Sequence, residues 1–280
     1  MKFTKMNGAG NDFIIVNNIE EKLPLEGFAN LARTLCQRRM SIGADGFMVV
    51  DKPTEGGDYK MIFYNSDGSL GEMCGNGARC IARYGYEMKL AGETQKIETT
   101  AGMVLGHRID KRQYKVKLNN PTAIKRNIDV EVESGTYKCS YVELGDPYIP
   151  HATMYYPNLA EADEDKLLQL GRQIRFYEGF PKGANVNFYD ILCDGSFLEK
   201  TYERGVEDFT LACGTGTGSV GLILTLEGKT DGNNIHVRVP GGDLYIDVEI
   251  NQENEGNIEG LYLTGPTNMV AMGEVLDEEL

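Results

Sequence analysis

The chain carries one pattern twice. A cysteine followed by a glycine-rich turn and a helix-like stretch occurs as MCGNGARCIARY, Met73 to Tyr84, and again as ACGTGTGSVGLI, Ala212 to Ile223. The two cysteines, Cys74 and Cys213, are 139 residues apart (213 − 74), about half of the 280-residue chain. Three more pairs keep that interval to within one residue: Gly43-Ala44-Asp45 with Gly183-Ala184-Asn185, Tyr64-Asn65 with Tyr202-Glu203, and Gly102 with Gly241. A single match is weak evidence, but four at one offset imply a duplicated unit. Each copy must then build its own core, and 280 residues with 41% apolar side chains allow two domains of ordinary size.

Periodicity lays out the same plan in both halves. In the first, strands are expected near Phe13 to Val16, Phe47 to Val50 and Met61 to Asn65, with an amphipathic helix from Phe28 to Arg39 before the second of them. The first cysteine loop follows, then a helix from Asn76 to Leu90 and three strands ending near Leu118. The second half offers strands at Tyr137 to Glu143 and Val186 to Leu192, a helix over Glu161 to Arg175, the second cysteine loop and helix, and late strands to Ile250. The join is expected between Asn119 and Ser134. This divides the chain into a first half, 1–125, joined by the C-terminal strand within 261–280, and a second half, 126–260.

Two like modules in one chain tend to pack about an approximate twofold axis, which would bring their equivalent loops to one cleft from opposite sides. Each cysteine stands where a strand ends and a helix begins, and the first helical turn leaves N–H groups without intrahelical partners. A thiolate is favoured there, with a pKa lowered from about 8.5 into roughly the 3.5 to 7.5 range. The glycines at 75, 77, 214 and 216 would let a ligand carboxylate approach the same N–H groups. Inverting a carbon stereocentre requires a proton to leave one face and another to arrive on the opposite face. A thiol and a thiolate in mirrored positions supply that apparatus.

The stretches GAGNDF, YNSDGSLGEMCGNGARC, GANVNF, YERGVEDFTLACGTG and LTGPTNMVAMGE resemble those of the diaminopimelate epimerases, from Phe3 to Glu274. The resemblance implies a PLP-independent, cofactor-free epimerase that interconverts LL- and meso-diaminopimelate on the route to lysine and peptidoglycan. It also implies an α+β fold of two pseudo-symmetric domains, each a mixed sheet wrapped around a central helix. Carried over residue by residue, Cys74 and Cys213 become the acid/base pair. Asn65, Asn185 and Arg204 would hold the non-reacting end of the substrate, and Asn11 would fix the reacting amino group. Gly75, Asn76, Gly214 and Thr215 would present backbone N–H groups to the reacting carboxylate, and Glu203 would support thiol ionisation. The family's Asn-Pro-His step reads here Gly145-Asp146-Pro147-Tyr148-Ile149-Pro150-His151. Either the loop is longer and His151 takes the histidine's place in support of the site, or Asp146 and Tyr148 replace the polar pair. Phe209 stands where a glutamate is usual.

The remaining signals exclude more than they add. A net charge of −14 argues against nucleic acid and anionic membrane as partners, and Arg38-Arg39 is too small a basic cluster to change that. The six cysteines form no Cys-x-x-Cys pair and there are three histidines, so metal-ligand spacing is lacking. Cys36, Cys80, Cys139 and Cys193 have no counterpart in the repeat and read as core. Gly216-x-Gly218-x-x-Gly221 has the spacing of a dinucleotide fingerprint, but the run before it is short and polar and no acidic partner is clearly placed. With no signal-like start and no long apolar run, the expectation is a cytoplasmic enzyme acting on a small amino acid, with a homodimer left open.

Overall fold

In a computed structural model of the chain, residues 1–71, 74–251 and 257–276 are described. They fall into two compact units, one within residues 1–116 and 265–276 and the other within residues 117–264. Among the described residues no helix is long and apolar enough to cross a membrane.

The first unit runs β1 (Lys2–Gly8), β2 (Asn11–Asn17), the short helix α1 (Asn18–Glu21), α2 (Phe28–Leu35), β3 (Gly46–Asp51), β4 (Tyr59–Asn65), α3 (Gly75–Glu87), β5 (Thr94–Thr99), β6 (Gly102–Arg108) and β7 (Gln113–Lys117). Its sheet is mixed. β1 lies antiparallel to β2 and to the C-terminal strand Asn268–Glu274, while β2 runs parallel to β3 and β4 parallel to β5. The pairs β3 with β4, β5 with β6 and β6 with β7 are antiparallel. Strands β2 and β3 carry continuous apolar runs, FIIV and FMVV, because both faces of the sheet are covered. On one face Ile14, Val16, Phe47 and Val49 pack against Phe28, Ala32 and Leu35 of α2. Each such buried side chain contributes about 1.5–3 kcal/mol. The other face looks onto α3, which is buried from Gly75 to Gly85 and touches β1, β2 and β6.

The second unit repeats that scheme. It contains β8 (Pro121–Val132), β9 (Gly135–Leu144), β10 (Ile149–Tyr155), α4 (Glu164–Arg175), β11 (Asn185–Ile191), β12 (Phe197–Glu203), β13 (Asp208–Thr210), α5 (Gly214–Leu226), β14 (Ile235–Val239), β15 (Gly242–Ile250) and β16 (Ile258–Pro266). The parallel pairs β10 with β11 and β12 with β14 answer the two parallel pairs of the first unit. Antiparallel pairs separate them as before. Helix α4 starts at Asp163, whose carboxylate caps the Lys166 N–H at 3.1 Å, and it turns Leu167, Leu170 and Ile174 onto Ala152, Val186 and Phe188. Helix α5 is buried from Gly214 to Leu224 against β9, β10, β11 and β15. Each unit is thus a mixed sheet around one buried helix, and each buried helix begins directly after one of the paired cysteines.

Three local expectations are corrected. The stretch 119–134 is largely strand β8, paired with β9, and not a plain connection; its many exposed positions hid the alternation. Helix α2 stops at Leu35, where the Gly43 and Ala44 N–H groups bond back to Leu35 and Cys36 carbonyls and turn the chain. Cys193 is exposed, in the turn closed by the Gly195 N–H on Leu192 O, whereas Cys36, Cys80 and Cys139 are buried as expected.

Candidate active site

Cys74 is the N-cap of α3, with extended backbone, and its Sγ accepts the Gly77 N–H at 3.4 Å. A Cβ at position 77 would lie 2.2 Å from Met48 Cε, so any larger residue there must push the methionine end aside. Below the first turn sits a buried cation, Arg79, whose Nη1 reaches the Gly75 carbonyl at 3.4 Å and whose Nη2 donates to Asn76 Oδ1 at 2.8 Å. Burial pulls its guanidinium down to about 10, and the neighbouring thiols Cys80 and Cys74 oppose that pull. Asn76, itself buried, donates to Asn11 Oδ1 at 2.6 Å, and Asn11 donates to Asp45 at 3.2 Å. Asp45 and Asp12 share the guanidinium of Arg38, at 2.8 and 2.6 Å, and Lys5 reaches Asp12 at 2.7 Å. Burial would raise the Asp12 carboxyl, but Arg38 and Lys5 outweigh it and hold the group below its usual range. Arg38, set aside in the sequence as part of too small a basic cluster, therefore anchors the turn that carries Asn11. Asn65 closes the end of β4, donating to Ser69 Oγ at 2.9 Å, with its residue exposed.

Cys213 is the N-cap of α5 with nearly the same backbone, and its Sγ lies 3.7 Å from Thr215 Oγ1. Burial first, and then the Glu203 carboxylate, raise its thiol well above the ordinary cysteine value, with the Thr215 hydroxyl opposing. Glu203 accepts from Thr210 Oγ1 at 2.8 Å. The Arg204 backbone N–H donates to Asn185 Oδ1 at 2.8 Å, and the Asn185 side chain donates to Pro150 O at 3.3 Å. His151 stands opposite Asn185 in the parallel ladder, fully buried, with Nδ1 3.3 Å from Asn187 Nδ2. Asn185, Arg204 and His151 are thereby gathered at one end of β10 and β11. Phe209, at the position of the family's glutamate, packs edge-on against Phe188 and Tyr202.

The buried His151 ring is pulled down to about 3, by burial first and by Arg204 second. In the unfolded chain it titrates near 6.5. Between those values the unfolded state binds a proton that the folded state does not, so this group's contribution to stability is lost as pH falls through that window. His151→Gln is expected to flatten the loss of stability between pH 7 and pH 4.5, read as urea midpoints. An identical slope in the variant would contradict this role of the ring.

Sequence reading passed over Arg79, Asn187 and Glu199. Glu199 and Thr201 alternate with Phe197 on the inward face of β12, and the only sequence signal was their contrast with Tyr59, Met61 and Phe63 of the other copy.

Comparison with known proteins agrees with this architecture. The profile of the diaminopimelate epimerase family matches two stretches of equal length, residues 3–124 and 149–270. The diaminopimelate epimerase of Hydrogenobaculum sp. is 39% identical over 98% of this chain and 98% of its own. That of Aquifex aeolicus is 32% identical over 100% of this chain and 99% of its own. Among solved structures, a PhzF-family phenazine biosynthesis protein of Bacillus anthracis superposes with a TM-score of 0.75 at 15% identity, covering 99% of each chain. A probable proline racemase of Agrobacterium radiobacter does so at 0.71 and 17%, covering 99% of this chain and 93% of that one, a likeness of fold alone. With two matched copies and full-length relatives above 30% identity, the chain belongs to the diaminopimelate epimerase family.

Proposed function

We propose that the chain is a cofactor-independent epimerase that interconverts LL- and meso-diaminopimelate by proton transfer between Cys74, Cys213 and the substrate α-carbon. The observation that carries the reading is the occurrence of a cysteine as N-cap of the buried helix in each copy of one repeated unit. The two surroundings differ in a way that sorts the thiols. Cys74 accepts a backbone N–H at a helix start and has the Arg79 cation below it, which favours the thiolate. Cys213 is buried beside Glu203, and both favour the neutral thiol, the reverse of the lowered pKa and the Glu203-assisted ionisation expected from the sequence.

In the resting pair, the Cys74 thiolate removes the α-proton and the C–H electron pair passes into the adjoining carboxylate. The Cys213 thiol then delivers its proton to the opposite face, and that electron pair returns to form the new C–H bond. The chain is left with a Cys74 thiol and a Cys213 thiolate, the state suited to the reverse reaction. First-turn N–H groups at Gly75, Asn76, Gly214 and Thr215 face developing negative charge on the carboxylate, and such prearranged donors are worth about 3–4 kcal/mol each in acyl-transfer sites. Asn11 fixes the reacting amino group, and Asn65, Asn185 and Arg204 hold the distal amino-acid end. His151 supports Asn185 from the neighbouring strand. The reading also places the enzyme in the cytoplasm, on a free amino acid.

Supplying LL-diaminopimelate to the reduced protein should yield the meso isomer until the two interconvert at equilibrium, whereas no turnover under strong reductant would end the reading. Loss of a charged hydrogen bond costs about 1.5–3 kcal/mol, so Arg204→Met is expected to raise KM roughly 10- to 100-fold with a smaller change in kcat. An unchanged KM would remove Arg204 from the distal site.

A further inference from the structure

The repeat provides an internal control for what lies beneath the two catalytic loops. Under α3, the third residues of β2, β3 and β4 are Phe13, Met48 and Met61, the fifth of β4 is Phe63, and the fourth of α3 is Ala78, all buried and apolar. The same ordinal positions under α5 are His151, Asn187, Glu199, Thr201 and Thr217, all buried and polar. These five form one chain of hydrogen bonds. The Glu199 carboxyl lies 2.7 Å from Thr217 Oγ1 and 3.4 Å from Thr201 Oγ1, and Thr201 donates its one hydroxyl proton to Asn187 Oδ1 at 3.0 Å. Asn187 meets His151 at 3.3 Å, and Thr217 Oγ1 also lies 3.1 Å from the Cys213 carbonyl oxygen. Buried polar networks are seldom more stable than apolar packing of the same shape. The first copy demonstrates that apolar packing fits this scaffold, so the polar set in the second copy has another reason to be there.

We propose that Glu199 is a positioning residue for Cys213, its carboxyl tying the first turn of α5 to β12 and, through Thr201 and Asn187, to His151. This rests on the epimerase reading of the site. Glu199 faces Thr217 and Cys213 from α5 and stands opposite Tyr189 of β11 in the ladder, while Thr201 on its own strand stands opposite Asn187. Arg238, on the neighbouring β14, pairs instead with Asp194. Burial pushes the carboxyl up to about 8, so at neutral pH it is mostly the uncharged acid. Above that value it becomes a carboxylate beneath Cys213 and opposes ionisation of the thiol.

The test uses two variants of the full chain, each read by melting temperature, by kcat and KM at pH 7, and by the rate of iodoacetamide alkylation at Cys213 from pH 7 to 9. Glu199→Met installs the residue of the first copy and leaves Thr201 and Thr217 with their other partners. It is expected to melt at or above the wild-type temperature yet lose about tenfold in kcat with KM little changed, the signature of a displaced reacting group. Glu199→Gln keeps a neutral hydrogen-bonding group and should hold kcat within about threefold at pH 7, while Cys213 alkylation at pH 9 runs about three- to tenfold faster than in wild type. A lower melting temperature with unchanged kcat in Glu199→Met would reduce the residue to a structural role and overturn the proposal. So would an alkylation profile of Glu199→Gln that overlays wild type, a readout that decides even if Glu199→Met fails to fold. Alkylation does not depend on turnover, so an inactive wild-type chain would remove the epimerase reading alone.

Discussion

Alanine at either Cys74 or Cys213 is expected to lower kcat for diaminopimelate epimerisation by on the order of 10²–10⁴-fold, the range that general acid–base groups supply. The loss should be alike in both directions, because every inversion needs one sulfur to take a proton and the other to give one. Removing the Cys74 side chain also removes the acceptor for the Gly77 N–H, a cap worth about 1 kcal/mol, so Cys74→Ala should melt slightly lower than wild type. At Cys213 the Gly216 N–H approaches the thiol without forming a full cap, so its replacement should cost less stability than that of Cys74. Initial rates in both directions, with melting curves beside them, check the prediction. Near-wild-type turnover in either variant would end the two-thiol mechanism.

The second large effect comes from atoms that are missing. A Cβ at Gly216 would stand 2.1 Å from Asn187 Oδ1, and one at Gly77 would stand 2.2 Å from Met48 Cε. Neither distance is tolerable, so something must move. At Gly77 the obstacle is the flexible end of a methionine, which can swing aside. At Gly216 it is a buried amide whose oxygen already accepts from Thr201, so the helix start must shift instead. Overpacking of this kind costs about 1–3 kcal/mol, and a displacement near 1 Å at a reacting group costs up to about 10²-fold in rate. Gly216→Ala is therefore expected to lose roughly 100-fold in kcat/KM, and Gly77→Ala roughly tenfold. The order is the informative part: a milder effect at 216 than at 77 would mean that the Asn187 network is not rigid.

Much of this was legible because duplication writes the same constraint twice. The glycine-rich turns after Cys74 and Cys213 marked the two helix starts, the apolar runs of β2 and β3 marked strands, and the family resemblance implied a sheet wrapped around each helix. The strand β8 was missed: Ile128-Asp129-Val130-Glu131-Val132 alternates as a half-buried strand does, but half of its twelve residues are exposed, and the polar run Lys125-Arg126-Asn127 before it reads as a connection. Helix α2 read too long because Gln37, Arg38 and Arg39 suit a helix locally, whereas the Gly43 and Ala44 N–H groups close the turn and free Arg38 to clamp Asp12 and Asp45. At the site, the residues singled out by motif lie at helix starts and strand ends, where backbone geometry leaves a trace in the sequence. Arg79 left none, and Glu199 only its contrast with Met61 of the other copy, because charged residues within a helix or strand read as solvent-facing. Only the pairing of β12 with β11 and the burial of α3 and α5 turned them inward.

The most direct measurement is the fate of the α-hydrogen when LL-diaminopimelate turns over in deuterium oxide. The expected result is that the newly formed meso isomer carries one deuterium at the inverted carbon from the first turnovers, while recovered LL substrate stays unlabelled early in the reaction. Cys74 would remove the proton on one face, and Cys213, already exchanged with solvent, would deliver deuterium on the other. Product that keeps its original hydrogen, or label that enters substrate and product equally from the start, would point to one base serving both faces and contradict the account.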